Sequence, residues 1–230
     1  MTSRHYERLV GSISSRYITQ QSLDEFILER GKEISKGTLN KDIRNIKTFL
    51  KWAAKNRYVA SDLAVKKIKV AQKPVIALYP KQVRDLIKLA SQYPTLRLRV
   101  LLAVTTGLRR GDLEAVEIGD IHFDRNAVTT RNRKAKKPMA ERPVPEQLMT
   151  ELSNYITTLP DGQESLFADS LSPKKWKAIR HKAGLPKLKF HDLRKTFASL
   201  LAQRGVSTPV TQRLLEHSTP QLTNDIHRRT

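Results

Sequence analysis

Three short segments hold arginines and histidines at spacings that suit chemistry on a phosphate. The first runs Thr106-Gly107-Leu108-Arg109, with Asp112 three residues past the arginine and in reach to orient it. The second is Phe190-His191-Asp192-Leu193-Arg194, where His191 and Arg194 are three apart and share one face of a helix. The third is Leu214-Leu215-Glu216-His217-Ser218, with His217 at an expected helix end. Breaking a phosphodiester without a metal requires cations around the non-bridging oxygens, a proton donor for the leaving oxygen and a nucleophile in line. Arginine suits the first task because its planar fork donates two parallel hydrogen bonds to a phosphate. Each segment alone has a plainer reading. Arg109 would be a surface arginine at a turn, His191 a helix-start residue bonding to backbone, and His217 a C-terminal cap favoured by the helix dipole.

The elements that would position these groups are mostly helices. Pro80 opens one whose buried side is Val83, Leu86, Ile87 and Ala90. Leu96 to Val104 reads as a core helix that Thr105-Thr106-Gly107 breaks, so Arg109 stands at the turn after it. A helical turn near Asp112–Val116 follows. Ile118 to Arg133 then loses the helical period and reads as a small antiparallel sheet, bounded by Pro138, Pro143 and Pro145. Helices are expected at Leu148–Ile156, Lys174–Lys182, Phe190–Gln203 and Thr208–Leu215, with a short one from Thr219-Pro220.

Upstream, Ser22 and Glu25 fit a capping box, and Gly31 can end the helix they start. A second helix is expected from Thr38 to Lys55, with Leu39, Ile43, Ile46, Phe49, Leu50 and Ala53 on one face. The opposite face carries Lys41, Arg44, Lys47, Lys51 and Lys55. It is either a solvated surface or a phosphate-facing stripe, and the charge of the chain favours the second. Residues 65–78 read as a linker, with Lys66, Lys67, Lys69 and Lys73 ahead of Pro74. Such a strap could lie along a DNA backbone or be a simple tether.

Lys plus Arg number 43 against 22 Asp plus Glu, a net charge of +21. That excess attracts a polyanion: DNA, RNA or an anionic membrane. Apolar content of 39% argues for folded domains. With no cysteine, disulfides, thiolate metal sites and a cysteine nucleophile are excluded. No apolar run approaches the roughly 20 residues that span a bilayer, and Met1 to Gly11 lacks the apolar core of a signal peptide. A cytoplasmic, nucleoid-associated protein is expected. RNA recognition would call for stacking aromatics, yet these make up only 6% and do not cluster.

Taken in order, Thr-Gly-Leu-Arg, His-x-x-Arg and Leu-Leu-x-His-Ser closely resemble the catalytic signature of the tyrosine recombinases, the phage-type integrases. The likeness covers about residues 79–227. Residues 22–64 also resemble that family's helical core-binding domain, notably around Thr38-Leu39-Asn40 and Phe49-Leu50-Lys51-Trp52-Ala53. The resemblance implies a mainly α fold with a small antiparallel β-sheet: a core-binding domain over 1–73, ending in the basic linker, and a recombinase-like catalytic domain over 74–230. It implies a clamp around double-stranded DNA, with Arg44, Lys47, Lys51, Lys66, Lys67 and Lys69 available to phosphates. Arg109 and Arg194 would grip the scissile phosphate, His191 and His217 would hydrogen-bond it or move protons, and Asp112 would support Arg109. The family places a leaving-group lysine on a β-hairpin; Lys134 is the choice, with Lys136 and Lys137 as alternatives. Strands are broken and rejoined in that family through a covalent protein–DNA intermediate, on a homo-oligomer that is a tetramer on DNA. No metal, cofactor, membrane or small-molecule substrate is expected.

One position departs from the pattern. The family's nucleophilic tyrosine sits nine or ten residues beyond the third-segment histidine. Counting from His217 gives Ile226 or His227, and the local text Leu222 to His227 resembles the ten-residue variant. The last tyrosine in the chain is Tyr155. Three readings follow: a recombinase by descent with catalysis impaired, an enzyme using His227 as nucleophile, or a non-enzymatic DNA-binding pseudo-recombinase or regulator.

Overall fold

The computed structural model describes residues 18–60, 63–71, 76–129, 131–132, 137–138 and 141–215. Two compact units divide the chain, Met1–Lys73 and Pro74–Thr230. Among the described residues, no helix is long and apolar enough to cross a membrane.

The first unit is built on helices α1 (Gln20–Glu33) and α2 (Lys36–Lys55), joined by Ile34 and Ser35. Leu23 and Phe26 of α1 pack against Leu39, Ile43, Ile46 and Leu50 of α2, with Val65 closing the cluster. The cap of α1 lies earlier than the sequence suggests. Thr19 is the N-cap and Ser22 is its reciprocal partner, because the Thr19 hydroxyl accepts from the Ser22 amide and the Ser22 hydroxyl accepts from the Thr19 amide. Gly31 does not end α1. A Cβ there would lie 3.3 Å from Leu39 Cδ2, so glycine admits the neighbouring helix instead. Phe49 is exposed although it sits near the apolar stripe, and its ring lies 6.0 Å from that of Trp52. The start of the expected linker belongs to this unit: Val65 is buried, and the Asn40 side chain donates to the Ile68 carbonyl (2.8 Å) and accepts from its amide (2.9 Å).

The second unit surrounds α4 (Pro94–Thr106), which is buried along most of its surface, with Arg97, Leu101 and Thr105 half-buried on one side. It packs against α3 (Pro80–Ala90), α5 (Arg110–Leu113), α6 (Glu146–Ile156) and α8 (Asp192–Gln203), while α7 (Pro173–Lys182) packs on α3 and α9 (Thr208–Leu215) on α8. Of the two arginines in α4, Arg97 pairs with Glu151, and Arg99 is buried, with its guanidinium 4.2 Å above the Phe167 ring and bonded to Asp169.

The sheet is small, as expected. Strands β1 (Ile121–His122), β2 (Ala127–Val128) and β5 (Arg142–Pro143) form an antiparallel sheet in the order β1-β2-β5, with Ile121 opposite Val128 and Val128 opposite Arg142. Strands β3 (Arg131–Asn132) and β4 (Lys137–Pro138) make a separate antiparallel pair. Two of the prolines that were expected to bound the sheet lie in strands, Pro143 in β5 and Pro138 in the separate β4. Pro143 is tolerated because β5 is an edge strand, where a missing N–H costs no ladder bond.

Candidate functional site

The site is assembled from the end of α4, the start of α8 and the end of α9. Gly107 caps α4 in the left-handed region at φ 65°. A side chain could not replace it: a Cβ would lie 2.8 Å from Leu215 Cδ2, 2.9 Å from Phe197 Cε1 and closer still to Phe197 Cδ1. Glycine therefore supplies both the turn and the close approach of α8 and α9. Two residues on, Arg109 is the extended N-cap of α5. Its side chain is 44% exposed, and Nη1 lies 3.6 Å from Asp112 Oδ2, the orienting contact read from their spacing.

Arg194 is held differently. It is 4% exposed, and its Nη1 donates to the Gly107 carbonyl at 2.6 Å while Nη2 donates to the Leu215 carbonyl. Two of the five guanidinium donors are thus engaged by the carboxyl ends of α4 and α9. One turn earlier, His191 is the N-cap of α8. The turn into this helix is fixed by the buried Asp192, which accepts from the Lys189 amide (2.9 Å) and from Lys195 Nζ (2.7 Å). Partial burial holds the His191 imidazole below its ordinary pKa, and the charges of Arg194 and Lys195, then Arg109, push the same way against the opposing pull of Asp192. His191 therefore lies within the electrostatic reach of both arginines. The structure brings Arg109, Asp112, His191 and Arg194 to one locality.

A fifth group was not singled out from sequence. Arg142 on β5 is 2% exposed, and its Nη1 donates to the Thr106 carbonyl at 3.0 Å and to the Leu214 carbonyl. A signal existed. Arg142 and Val144 are both buried while Pro143 and Pro145 between and after them are exposed. That alternation puts a charged residue at an inward-facing position.

His217, His227, Ile226, Lys134 and Lys136 lie outside the described residues. Strands β3 and β4 flank the segment that carries Lys134 and Lys136, and the Lys137 backbone pairs with Asn132. Arg44, Lys47, Lys51, Lys66, Lys67 and Lys69 belong to the first unit. All but the half-buried Lys47 are exposed, and Lys47 and Lys51 flank a hollow floored by Leu50, Ala54, Leu63 and Val65.

Comparison with known proteins gives one consistent result. The phage integrase family matches residues 77–229. Tyrosine recombinase XerA of Pyrococcus furiosus is 30% identical over 201 residues, spanning 82% of this chain and 68% of the relative. Tyrosine recombinase XerA of Saccharolobus solfataricus is 30% identical over 222 residues, spanning 94% and 70%. Among solved structures, the Tn1549 transposon integrase in complex with circular intermediate DNA superposes with a TM-score of 0.80 at 18% identity, covering 97% of this chain and 86% of that one. A lambda integrase dimer bound to a COC′ core site gives a TM-score of 0.74 at 19% identity, covering 98% and 85%. At these identities the structural likeness establishes the shared fold.

Proposed function

Because the chain belongs to the phage integrase family, we propose that it clamps duplex DNA as a tyrosine recombinase does and grips one backbone phosphate between Arg109, Arg194 and His191. The observation that carries this reading is the bond from Arg194 to the Gly107 carbonyl, which joins the His-x-x-Arg helix to the Thr-Gly-Leu-Arg turn. In this reading Arg109, exposed and steered by Asp112, binds non-bridging oxygens from the solvent side, and Arg194 meets them from within. His191, held neutral near pH 7, can donate one hydrogen bond to the phosphate or accept a proton. His217 completes the cage and Lys134 protonates the leaving 5′ oxygen. The basic residues of the first unit hold flanking phosphates.

The covalent step is where this chain departs. A tyrosine oxygen would attack phosphorus and release the 5′ oxygen, but no tyrosine follows Tyr155. We assign that position to His227, with Ile226 as the alternative register, and strand cleavage is impaired in consequence. The same observation favours a second reading: a non-enzymatic DNA-binding protein that competes with or regulates an intact integrase.

The test is a pool of nicked suicide duplexes of randomised sequence, scored for an SDS-resistant protein–DNA adduct. Binding without adduct is expected from the unaltered chain, and adduct is expected from His227→Tyr. Restoration by Ile226→Tyr alone would move the register by one. A robust adduct in the unaltered chain, lost in His227→Ala, would establish a histidine nucleophile and overturn the impaired reading. DNA binding with no adduct from either tyrosine variant would support the non-enzymatic reading.

A further inference from the structure

We infer that Arg142 is a positioning residue, a solvent-excluded brace that holds the ends of α4 and α9 at a fixed separation so that Arg194 can serve the phosphate. The inference rests on the phosphate-binding reading above and adds a residue to it.

The geometry is a doubled staple. Arg142 spans from the Thr106 carbonyl to the Leu214 carbonyl. Arg194 spans from the Gly107 carbonyl to the Leu215 carbonyl. The two arginines cross the same gap one residue apart on each side. Thr106 and Gly107 end α4, and Leu214 and Leu215 end α9. Carbonyls in a last helical turn lack intrahelical partners and carry the negative end of the helix dipole, so cations suit them. Arg109 follows Gly107 by two residues, and His217 follows Leu215 by two. Whatever fixes the distance between these carbonyl pairs also fixes where the Arg109 side chain starts relative to Arg194.

The two arginines differ in what else anchors them. Arg194 rides on α8 next to His191. Arg142 is fixed through β5, whose ladder pairs Val128 with Arg142, and it is more completely buried. What separates the two is placement: Arg194 shares α8 with His191, whereas Arg142 comes from a strand and its Nη1 is committed to two carbonyls. Its bonds to the turns persist whether or not DNA is present, whereas Arg194 must divide its donors between carbonyls and phosphate. Both Arg142 bonds leave one nitrogen, Nη1, and a lysine ammonium keeps the charge but ends about one bond short of that position, so lysine is an incomplete substitute.

The experiment uses the full chain with Arg142→Lys, Arg142→Met and Arg109→Ala. Inorganic phosphate is the probe, followed through the imidazole NMR signals of His191. Melting temperature and hydrogen exchange over residues 105–109 are measured on the same samples, below each variant's own melting temperature. In the unaltered chain phosphate should perturb His191, and Arg109→Ala should weaken that response. Arg142→Met should weaken phosphate binding by about tenfold or more, the scale of losing a group that orients a binding residue. Exchange at 105–109 should accelerate, and Arg142→Lys should fall between. Unchanged phosphate affinity in Arg142→Met with only a lower melting temperature would overturn the inference and leave Arg142 as a stability residue. Unchanged exchange at 105–109 would overturn the brace itself. No phosphate response at His191 in the unaltered chain would instead refute the phosphate-binding reading, and the positioning role with it, while the exchange data would still judge the brace. If Arg142→Met does not fold, Arg142→Lys alone decides by the same two readouts.

Discussion

Replacing Gly107 by alanine should be among the most damaging single-methyl additions in the second unit, and its cost divides into two parts. The first is backbone conformation. At φ 65° an L-residue pays about 1–2 kcal/mol for the left-handed region. The second is overpacking. The added Cβ would sit 2.8 Å from Leu215 Cδ2 and 2.9 Å from Phe197 Cε1, and packed cores resist such insertions by about 1–3 kcal/mol. The total is roughly 2–5 kcal/mol, and for a domain of about 150–250 residues each kcal/mol shifts the melting temperature by about 2–4 °C. A fall of roughly 4–20 °C is therefore expected. Gly205 is the control. It also has positive φ, at 76°, but nothing lies within 4 Å of its Cβ position. Gly205→Ala should show the conformational part alone, about 1–2 kcal/mol. Thermal unfolding followed by circular dichroism reads both. Equal destabilisation by the two substitutions would refute the claim that Gly107 is required for the approach of α8 and α9. The Gly107 carbonyl is also the Arg194 acceptor, so Gly107→Ala should weaken DNA binding and Gly205→Ala should not.

Duplex binding should be dominated by phosphate contacts, with log K falling by about 0.9 per neutralised phosphate for each unit of log salt; a nearly flat salt dependence would count against the clamp. His191 should titrate below the model-compound value of about 6.5. Its neutral form is thus favoured by folding: its contribution to stability is full above that unfolded value and declines as pH falls through it toward the folded value. An NMR titration midpoint above 6.5 in the free protein would reverse the sign. Asn40→Ala removes both bonds to Ile68, at a cost of about 1–3 kcal/mol. It should let trypsin cut faster after Lys66 and Lys67, and unchanged cleavage would mean that those bonds do not hold the segment.

The helices were legible because their physics is local. Val83, Leu86 and Ala90 recur at helical spacing and are buried together, and Pro80 stands at the first position of α3, where a helix needs no N–H. What failed to show was set by one local choice of cap and otherwise by contacts distant in sequence. Ser22 looked like a cap because its hydroxyl precedes an acidic residue, yet the reciprocal bonds run to Thr19. Gly31 reads as a stop by type, whereas the approach of Leu39 explains it. Pro143 reads as a sheet boundary, but a strand at an edge does not need the missing donor. In the site, Arg109, His191 and Arg194 stood out through short motifs, while Arg142 has no motif around it. Its partners lie 36 and 72 residues away, and its one local trace is the alternation that puts it on the same inward side as Val144.

Arg109 and Arg194 also carry a lesson about what motif recognition leaves unsaid. They are assigned the same phosphate, but one is 44% exposed beside a carboxylate and the other is nearly sealed among carbonyls. An exposed guanidinium interacts with an anion through water and salt, so its contribution is screened. A buried guanidinium already oriented by fixed dipoles needs little reorganisation when the phosphate arrives, and its field acts in a medium of lower effective dielectric. The buried arginine should therefore be the stronger determinant of transition-state charge stabilisation, and the exposed one of capture. The carbonyls of two helix ends that converge on Arg194 offset its burial. The same convergence engages Arg142, so two cations, not one, hold the carbonyl ends of α4 and α9.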